Sequence, residues 1–329
     1  MDLPHPSPSP YNGPPVTTAS ISSEAAIAAP AARGARYALP VLLLGAVLIS
    51  FSGIFVRISE LGPTATAFHR LFLALPIFWL WMAIEARGSA QVLPRRSSDW
   101  ALLALCGLMF AGDLVFWHWS LRMTSIANST LLGNSAPIFV TLAGWLLLGQ
   151  RFSLVFLLGL ALAIAGAIVV VGISFDHGQR PFFGDLMAVV VGGFYGAYIM
   201  LVGRLRGRFS TATVLGIGGI ATCVTLLAIA VASGESLTPH SLHGWLVLFG
   251  LAWLMQVAAS SAIAWSLAHL PAAFGSVALL VNPVAAAIFA WTVLGEQISP
   301  LQAAGGGVVL AGIALARQGS ISSGSIKNR

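Results

Sequence analysis

Two oppositely charged side chains stand out because each falls inside a long apolar stretch of the sequence. Arg70 lies within the apolar stretch 64–84, and Asp113 lies within the stretch 100–120. A charged group deep in a hydrocarbon layer costs about 2.5–3.5 kcal/mol on insertion scales, so each side chain needs a partner or a water-filled cavity. Two hypotheses follow. Arg70 and Asp113 form an ion pair that gates or shapes a pathway, or Arg70 binds a substrate carboxylate while Asp113 binds an amine or a proton.

Two histidines lie close to these charged residues in the sequence. His69 adjoins Arg70, and His118 follows Asp113 on the same predicted helix. Imidazole titrates near neutral pH, so a proton relay is one interpretation of both rings. A structural histidine, hydrogen-bonded near the lipid headgroups, is the alternative, and neither histidine is predicted to be catalytic.

Neutral polar and aromatic side chains form a second group near the predicted middle of the membrane. The candidate substrate-binding residues come from both halves of the chain and are Asn134, Tyr195, Tyr198, Gln256, Asn282 and Trp265. Groups of this kind, with little net charge, suit a neutral or zwitterionic organic solute better than a multiply charged phosphate ester. Hydrogen bonding between helices is the alternative for the polar members, and packing is the alternative for the tryptophan.

Two prolines accompany the two asparagines of this group. Asn134 precedes Pro137 by about one turn, and Asn282 immediately precedes Pro283. A proline inside a helix frees a backbone carbonyl, and such a group is tolerated in a membrane where it lines a cavity. Pro137 and Pro283 are therefore predicted to be helix breaks beside the amide side chains.

These residues belong to a chain whose composition is that of a membrane protein. Hydrophobic residues make up 57% of the 329 residues and charged residues 8%, whereas about 25% of a soluble domain is charged. Apolar runs of about 20 residues, each long enough to cross a hydrocarbon layer about 30 Å thick, recur along the sequence. The sequence predicts an all-α membrane protein with ten transmembrane helices at 38–56, 64–84, 100–120, 126–148, 154–173, 184–203, 211–232, 244–265, 272–294 and 301–316.

The distribution of basic residues predicts the orientation of these helices. Of the 16 Lys and Arg residues, twelve fall on the side of the termini, three on the opposite side, and Arg70 falls within a span. The positive-inside rule therefore places both termini in the cytoplasm of a multi-pass protein of the bacterial inner (plasma) membrane. Residues 1–36 are predicted to be a disordered cytoplasmic tail, and residues 318–329 a cytoplasmic C-terminal tail.

An internal repeat is visible when the chain is compared with itself at an offset of 146 residues. The offset aligns Pro137 with Pro283, and Trp145 with Trp291. We predict a first repeat at 37–173, a linker at 174–183 and a second repeat at 184–317. Because each repeat holds five helices, the second must enter the membrane upside down, which is the arrangement that secondary transporters use for alternating access around a central cavity.

The sequence resembles the drug/metabolite transporter superfamily, specifically its ten-helix type with two EamA-like halves. The resemblance covers about 38–316. It rests in the first half on Phe68-His69-Arg70, Thr124-Ser125-Ile126-Ala127-Asn128, Pro137 and Leu148-Gly149-Gln150, and in the second half on Ala272-Ala273, Pro283 and Leu294-Gly295-Glu296. The family often has Leu-Gly-Glu where the first half has Gln150. The resemblance implies export of amino acids or related metabolites, and its overall look is nearest to the bacterial aromatic amino-acid exporters.

Several other functional classes lack support in the sequence. The chain has no phosphate-binding G-x-x-x-x-G-K-[ST] motif, zincin motif or nucleophile elbow, and its two cysteines fall inside predicted helices. No catalytic residue, metal site, cofactor or nucleic-acid partner is therefore predicted. The expected partners are a small-molecule substrate and the lipid bilayer, with protons and the oligomeric state left open. The predicted function is amino-acid or metabolite export, the alternative is export of lipophilic cations through Asp113, and a membrane enzyme or channel ranks below both.

Overall fold

The structure, a computed structural model, describes residues 36–88, 93–123, 129, 132–171, 181–294 and 300–326. These residues form helices and turns and contain no strand. Within them, six helices are long and apolar enough to cross a membrane: Arg36–Val56, Pro63–Arg87, Ser97–Met123, Phe182–Arg206, Thr211–Ala232 and Leu242–Ser266. Three shorter apolar helices are Ala136–Leu148, Leu154–Val169 and Ala272–Ala285. The predicted all-helical membrane class is confirmed, while the count of ten spans and their inverted arrangement stay predictions.

The helical segments are numbered here in chain order. The first half contains α1 (36–49), α2 (Ser52–Ile58), α3 (Pro63–Phe72), α4 (Leu75–Gly88), α5 (Ser97–Met123), α6 (Ala136–Leu148) and α7 (Leu154–Val171). The second half contains α8 (Pro181–Arg206), α9 (Thr211–Ala232), α10 (Leu242–Gly250), a π-helical segment (Leu251–Ala259), α11 (Ser260–Ser266), α12 (Ala272–Ala278), α13 (Val281–Leu294) and α14 (Pro300–Ile326).

Two of the predicted spans are interrupted, and a proline follows each interruption. The predicted span 64–84 lies within the apolar helix Pro63–Arg87, in which a turn at 73–74 separates α3 from α4. The predicted span 272–294 is likewise helical, and a turn at 279–280 separates α12 from α13. Pro76 and Pro283 lie in the first turns of α4 and α13, where a missing backbone N–H breaks no helical hydrogen bond.

The first span is also interrupted, here without a proline. A turn at 50–51 separates α1 from α2, and the Ser50 hydroxyl donates a 2.6 Å hydrogen bond to the carbonyl of Val47. Serine side chains compete with helical hydrogen bonds in this way and often bend a helix. The turn places Ser52 at the first position of α2, where its side chain is buried.

The ends of the predicted helices differ from the observed ends in two notable places. The last helix, predicted to finish at 316, continues to Ile326 and so includes most of the segment that was predicted as a tail. Residues 126–128 and 130–131, at the start of the predicted fourth span, lie outside the described residues, as do residues 1–35. The seventh predicted span, 211–232, coincides with α9.

Small residues bring the backbones of several helices into close contact. A Cβ atom added to Gly312 of α14 would lie 2.4 Å from the backbone nitrogen of Ala163 in α7. One added to Gly107 of α5 would lie 2.1 Å from the carbonyl oxygen of Gly218 in α9. Helices in a membrane associate through such contacts because lipid offers no hydrophobic drive for burial. α5 also packs along α8, so the helix that carries Asp113 lies between α8 and α9.

Candidate functional site

Arg70 is the centre of a buried polar cluster that joins three helical segments. Its side chain is 3% exposed. Its Nε donates a 2.9 Å hydrogen bond to Oε1 of Gln256 in the π-helical segment, and its terminal nitrogen donates a 3.1 Å hydrogen bond to the Ser52 hydroxyl in α2. Both acceptors are neutral. Arg70 is therefore held in place by groups that carry no negative charge.

Asp113 lies in α5 and is 9% exposed. Among the described residues no side chain or backbone group donates a hydrogen bond to its carboxylate, and no nitrogen of Arg70 lies within the 4.0 Å of an ion pair. The two charges still interact at longer range. The direct ion pair of the first hypothesis is thus not formed in this structure. A buried carboxylate without a hydrogen-bond donor is costly unless a ligand, a proton or water satisfies it.

Aromatic rings lie beside this carboxylate. Phe110 is one turn away from Asp113 on α5, and its ring stacks on Tyr198 of α8 with ring centroids 4.7 Å apart. Tyr198 in turn lies 6.1 Å from the ring of Tyr195, one turn away on α8. The structure therefore brings together two opposite charges and an aromatic surface.

The two histidines are anchored to their own helices. Nδ1 of His69 lies 2.9 Å from the carbonyl oxygen of Ala65, and Nδ1 of His118 lies 2.7 Å from that of Leu114. A carbonyl oxygen only accepts, so Nδ1 carries the proton in both rings. Nε2 of His118 is buried and has no hydrogen-bond partner within the described part of the chain. Their proposed part in proton coupling stays a prediction.

The remaining predicted site residues occupy helix ends and turns. Asn134 lies in the turn before α6, and Pro137 lies in the first turn of that helix. Asn282 and Pro283 lie in the first turn of α13. The ring of Trp265 packs on His269, one turn along, with centroids 4.5 Å apart. The two prolines thus begin helices at matching places in the two halves of the chain.

Sequence reasoning missed two features of the Arg70 cluster. Ser52 was not predicted as a site residue, although the string Ser50-Phe51-Ser52-Gly53 interrupts an otherwise apolar span and could have indicated it. The π-helical segment Leu251–Ala259 was predicted as ordinary α-helix. π-helical turns are rare and often occur at functional sites, but their hydrogen-bond register leaves no recognisable pattern in a single sequence.

A separate cavity of about 700 Å³ lies between α6 and α7. Its lining is mainly apolar and consists of Ile138, Thr141, Leu142, Trp145, Arg151, Phe152, Leu157 and Leu160. Several of these side chains, such as Trp145 at 60% exposure, lie on the outer surface of the bundle. The cavity contains none of the predicted site residues, so we assign the candidate site to the Arg70 and Asp113 region instead.

Comparison with known proteins identifies relatives along most of the chain. The EamA-like transporter family matches residues 36–172 and again residues 182–318. An uncharacterized transporter of Archaeoglobus fulgidus is 28% identical over 287 residues, which are 83% of this chain and 96% of that protein. A solved crystal structure shares the fold with a TM-score of 0.71 at 18% identity, covering 88% of this chain and 98% of the other.

Two further relatives carry more specific names. A probable terminal-alkyne amino-acid exporter of Streptantibioticus cattleyicolor is 27% identical, covering 81% of this chain and 88% of that protein. The pseudopaline exporter CntI of Pseudomonas aeruginosa is 25% identical, covering 84% of this chain and 95% of that protein. The family and these relatives are transporters and exporters, and not enzymes.

Proposed function

We propose, from the premise that this chain belongs to the EamA-like transporter family, that it exports an amino acid or a similar zwitterionic metabolite by alternating access. The proposal is carried by the presence of two buried, oppositely charged side chains in one region. Asp113 accepts no hydrogen bond from the described residues, and Arg70 donates only to neutral oxygens. Each charge retains the capacity to bind a group of opposite sign. An amino acid supplies both groups in one small molecule.

The chemistry of binding follows from the positions of these groups. The carboxylate of Asp113 would accept hydrogen bonds from the substrate ammonium, and the guanidinium of Arg70 would donate to the substrate carboxylate. The stacked rings of Phe110 and Tyr198 would contact an apolar or aromatic side chain. Gln256, which anchors Arg70, together with Tyr195, Asn134, Asn282 and Trp265, completes the proposed lining.

The transport mechanism is inferred from the internal repeat. We infer ten spans in two inverted repeats, at 37–173 and 184–317, in an inner membrane with both termini cytoplasmic. The double match to the EamA-like family supports two related halves, and the equivalent positions of Pro137 and Pro283 in the first turns of α6 and α13 agree with them. Two units that exchange conformations would expose one site to each side of the membrane in turn.

The direct test is transport of labelled amino acids by purified protein in proteoliposomes, measured as saturable counterflow. We expect flux of neutral or aromatic amino acids, with KM raised by Arg70→Gln and by Asp113→Asn. Asp113→Glu should retain more activity than Asp113→Asn because it keeps the charge. Asp185→Asn removes a carboxylate near the start of α8 and serves as the matched control. Unchanged kinetics in both Arg70→Gln and Asp113→Asn would refute the proposed site.

Export of lipophilic cations is the second candidate, and a specific observation favours it. Asp113 is a buried carboxylate inside a membrane span and accepts no hydrogen bond in the described part of the chain. A cation would bind to this carboxylate but would not bind to the positively charged Arg70. Flux of a lipophilic cation that requires Asp113 and survives Arg70→Gln, without amino-acid flux, would therefore replace the first proposal with this one.

A further inference from the structure

A glutamate of the second half caps a helix of the first half. α3 begins at Pro63, and the N-cap position is Gly62, which has no side chain to accept a hydrogen bond. The carboxylate of Glu235 instead accepts hydrogen bonds from the backbone nitrogens of Thr64, at 3.3 Å, and Ala65, at 2.7 Å. The first N–H groups of a helix have no partner within the helix and carry partial positive charge. A carboxylate from the other half satisfies them here.

A glutamate of the first half makes the reverse contact. Glu60 precedes α3, and its carboxylate accepts hydrogen bonds from the backbone nitrogens of His240, at 2.9 Å, and Ser241, at 3.2 Å. The Ser241 hydroxyl also donates to the Glu60 carboxylate. The oxygen of this Ser241 hydroxyl accepts a hydrogen bond from the backbone nitrogen of Gly244 and so caps α10. The segment before each helix thus supplies a carboxylate to the start of the other helix.

Glycines at three positions make room for the contacts of Glu235 with the start of α3 and of Glu60 with the start of α10. A Cβ atom on Gly62 would lie 2.3 Å from an oxygen of Glu235, and one on Gly244 would lie 2.5 Å from an oxygen of Glu60. Gly234, with φ of 68°, ends α9, and the nitrogens of Gly234 and Glu235 bond to the carbonyls of Val231 and Ala230. This is the Schellman arrangement, which needs a left-handed residue. It fixes the direction in which Glu235 leaves the helix.

The opposite end of the bundle carries a corresponding contact of different chemistry. Arg208, in the turn before α9, donates to Asp99 near the start of α5 at 2.8 Å and 3.4 Å. The internal repeat makes these elements equivalent to those of the first contact. Thr211-Ala212-Thr213 at the start of α9 repeats Thr64-Ala65-Thr66 of α3, and Trp100 of α5 corresponds to Trp245 of α10.

The two contacts differ in composition. The glutamate contact comprises five hydrogen bonds from four backbone nitrogens and one hydroxyl to two carboxylates. At the other end Arg208, which is 54% exposed, donates two hydrogen bonds to Asp99, which is 3% exposed. The Ser153 hydroxyl also donates a 3.0 Å hydrogen bond to the carbonyl of Gly319 in the other half. Ion pairs exposed to solvent contribute little to stability and are screened by salt. Three of the five hydrogen bonds of the glutamate contact are exposed as well. The Asp99–Arg208 contact has only two hydrogen bonds and uses no backbone group, so we expect the end that carries Asp99 to be the easier one to open.

We propose that Glu60 and Glu235 are positioning residues that lock the two halves together at one end of the transport pathway, with the Asp99–Arg208 ion pair as the weaker lock at the opposite end. This inference rests on the proposed function for its place in a transport cycle. The resting protein then keeps the Glu60 end closed and opens at the Asp99 end. Substrate binding must release the glutamate lock before the site can face the other side.

Opening can be measured without any substrate, by pulsed electron spin resonance between two spin labels. In a Cys106→Ser/Cys223→Ser background, labels at Ile58→Cys and Thr238→Cys report on the Glu60 end, and labels at Ser98→Cys and Arg204→Cys report on the Asp99 end. All four positions are exposed and belong to opposite halves of the chain at each end. The protein is studied in full length in lipid nanodiscs, with Asp99→Asn as the matched control for loss of one lock.

The expected result is a selective effect of each lock on its own end. Glu60→Gln combined with Glu235→Gln should lengthen and broaden the distances across the Glu60 end, and Glu60→Asp should restore the narrow distribution in part. Asp99→Asn should affect only the Asp99 end. Because the double variant could misfold, Gly62→Ala offers a second way to displace Glu235, with Gly307→Ala, where a methyl group meets open space, as its control. Unchanged distances in both lock variants would overturn the proposal.

A transport measurement then separates this inference from the proposed function. In proteoliposomes the double glutamate variant should change the maximal rate of exchange at least threefold while leaving KM for substrate within a factor of two. A merely structural role would reduce both rate and protein stability together. If wild-type protein carries no amino acid yet the distances respond as expected, the lock stands and the proposed substrate fails. If amino acids are carried and the distances do not respond, only the lock fails.

Discussion

Arg70 shows how a buried charge can be fixed without being neutralised. Its nitrogens use the oxygens of Gln256 and Ser52, so the hydrogen-bonding capacity of the guanidinium is partly satisfied while the charge remains available. Hydrogen bonds that involve a charged group are stronger than those between neutral groups. A rigidly held arginine is a suitable docking group, because less conformational entropy is lost when a ligand binds.

Gln256 provides the first prediction at this scale. Gln256→Leu should leave Nε of Arg70 without an acceptor and destabilise the protein by about 1–3 kcal/mol, the usual cost of an unsatisfied buried group. The thermal unfolding midpoint of detergent-solubilised protein measures this effect, and KM in proteoliposomes should rise because Arg70 is no longer fixed. Gln150→Leu, at an exposed position after α6, is the control. Equal midpoints for the two variants would show that Gln256 does not anchor Arg70.

The chemical types of the central residues could be predicted from sequence, but their partners could not. Arg70 and Asp113 are conspicuous because charges inside apolar spans are rare. Their contacts depend on rotations and interruptions of helices that composition does not reveal. Gln256 reaches Arg70 from a π-helical segment, and Ser52 reaches it from a helix that restarts after a turn. A regular α-helix drawn through either segment would direct these side chains elsewhere.

At the scale of helices, composition and proline position explain much of the architecture. Apolar length predicted the membrane helices because a span must satisfy its own backbone in lipid. The turns before Pro76 and Pro283 could have been predicted by treating each proline as the first turn of a new helix rather than as a kink within a longer one. The contacts of Glu60 and Glu235 could not be predicted, since they join residues 170 or more positions apart in the sequence.

Helix packing provides the second prediction. Gly107→Ala would place a methyl group 2.1 Å from the carbonyl oxygen of Gly218, and this backbone atom cannot move without separating α5 from α9. Overpacking of this kind typically costs about 1–3 kcal/mol. The unfolding midpoint should fall, and transport should fall with it because α5 carries Asp113. Gly307→Ala, which meets open space in α14, should leave both quantities unchanged. A stable Gly107→Ala protein would contradict the observed approach of the two helices.

At the scale of the whole molecule, the orientation in the membrane gives the third prediction. The excess of basic residues on the side of the termini places Arg204 in the cytoplasm and Ser236 outside it. In the cysteine-substituted background, a membrane-impermeant maleimide added to intact cells should label Ser236→Cys and should label Arg204→Cys only after the membrane is permeabilised. The opposite pattern would show that the protein has the reverse orientation. Labelling of both positions in intact cells would refute the predicted span 211–232 between them.

The glutamate lock gives the final prediction, because it should respond to acid in a defined direction. Glu60 lies outside the membrane spans, and the hydrogen bond from the Ser241 hydroxyl, together with that from the His240 nitrogen, lowers the pKa of its carboxyl below the ordinary value of 4.5. A carboxyl group whose pKa is lowered by the closed contact stabilises that contact above its ordinary pKa and loses this contribution as the pH falls through the lowered value. The charge of the neighbouring His240 side chain acts in the same direction and also lowers the pKa of Glu60.

The closed distance across the Glu60 end should therefore persist from neutral pH down to the ordinary glutamate value of 4.5 and lengthen only in more acidic solution. Spin-label distances between positions 58 and 238, recorded over this range, measure the transition. Glu60→Gln should lower the stability of the closed contact at neutral pH and flatten the acid response, since the group that titrates is gone. A transition centred near neutral pH would assign the response to a histidine instead. That outcome would mean that the Glu60 end opens while its carboxylates are still charged.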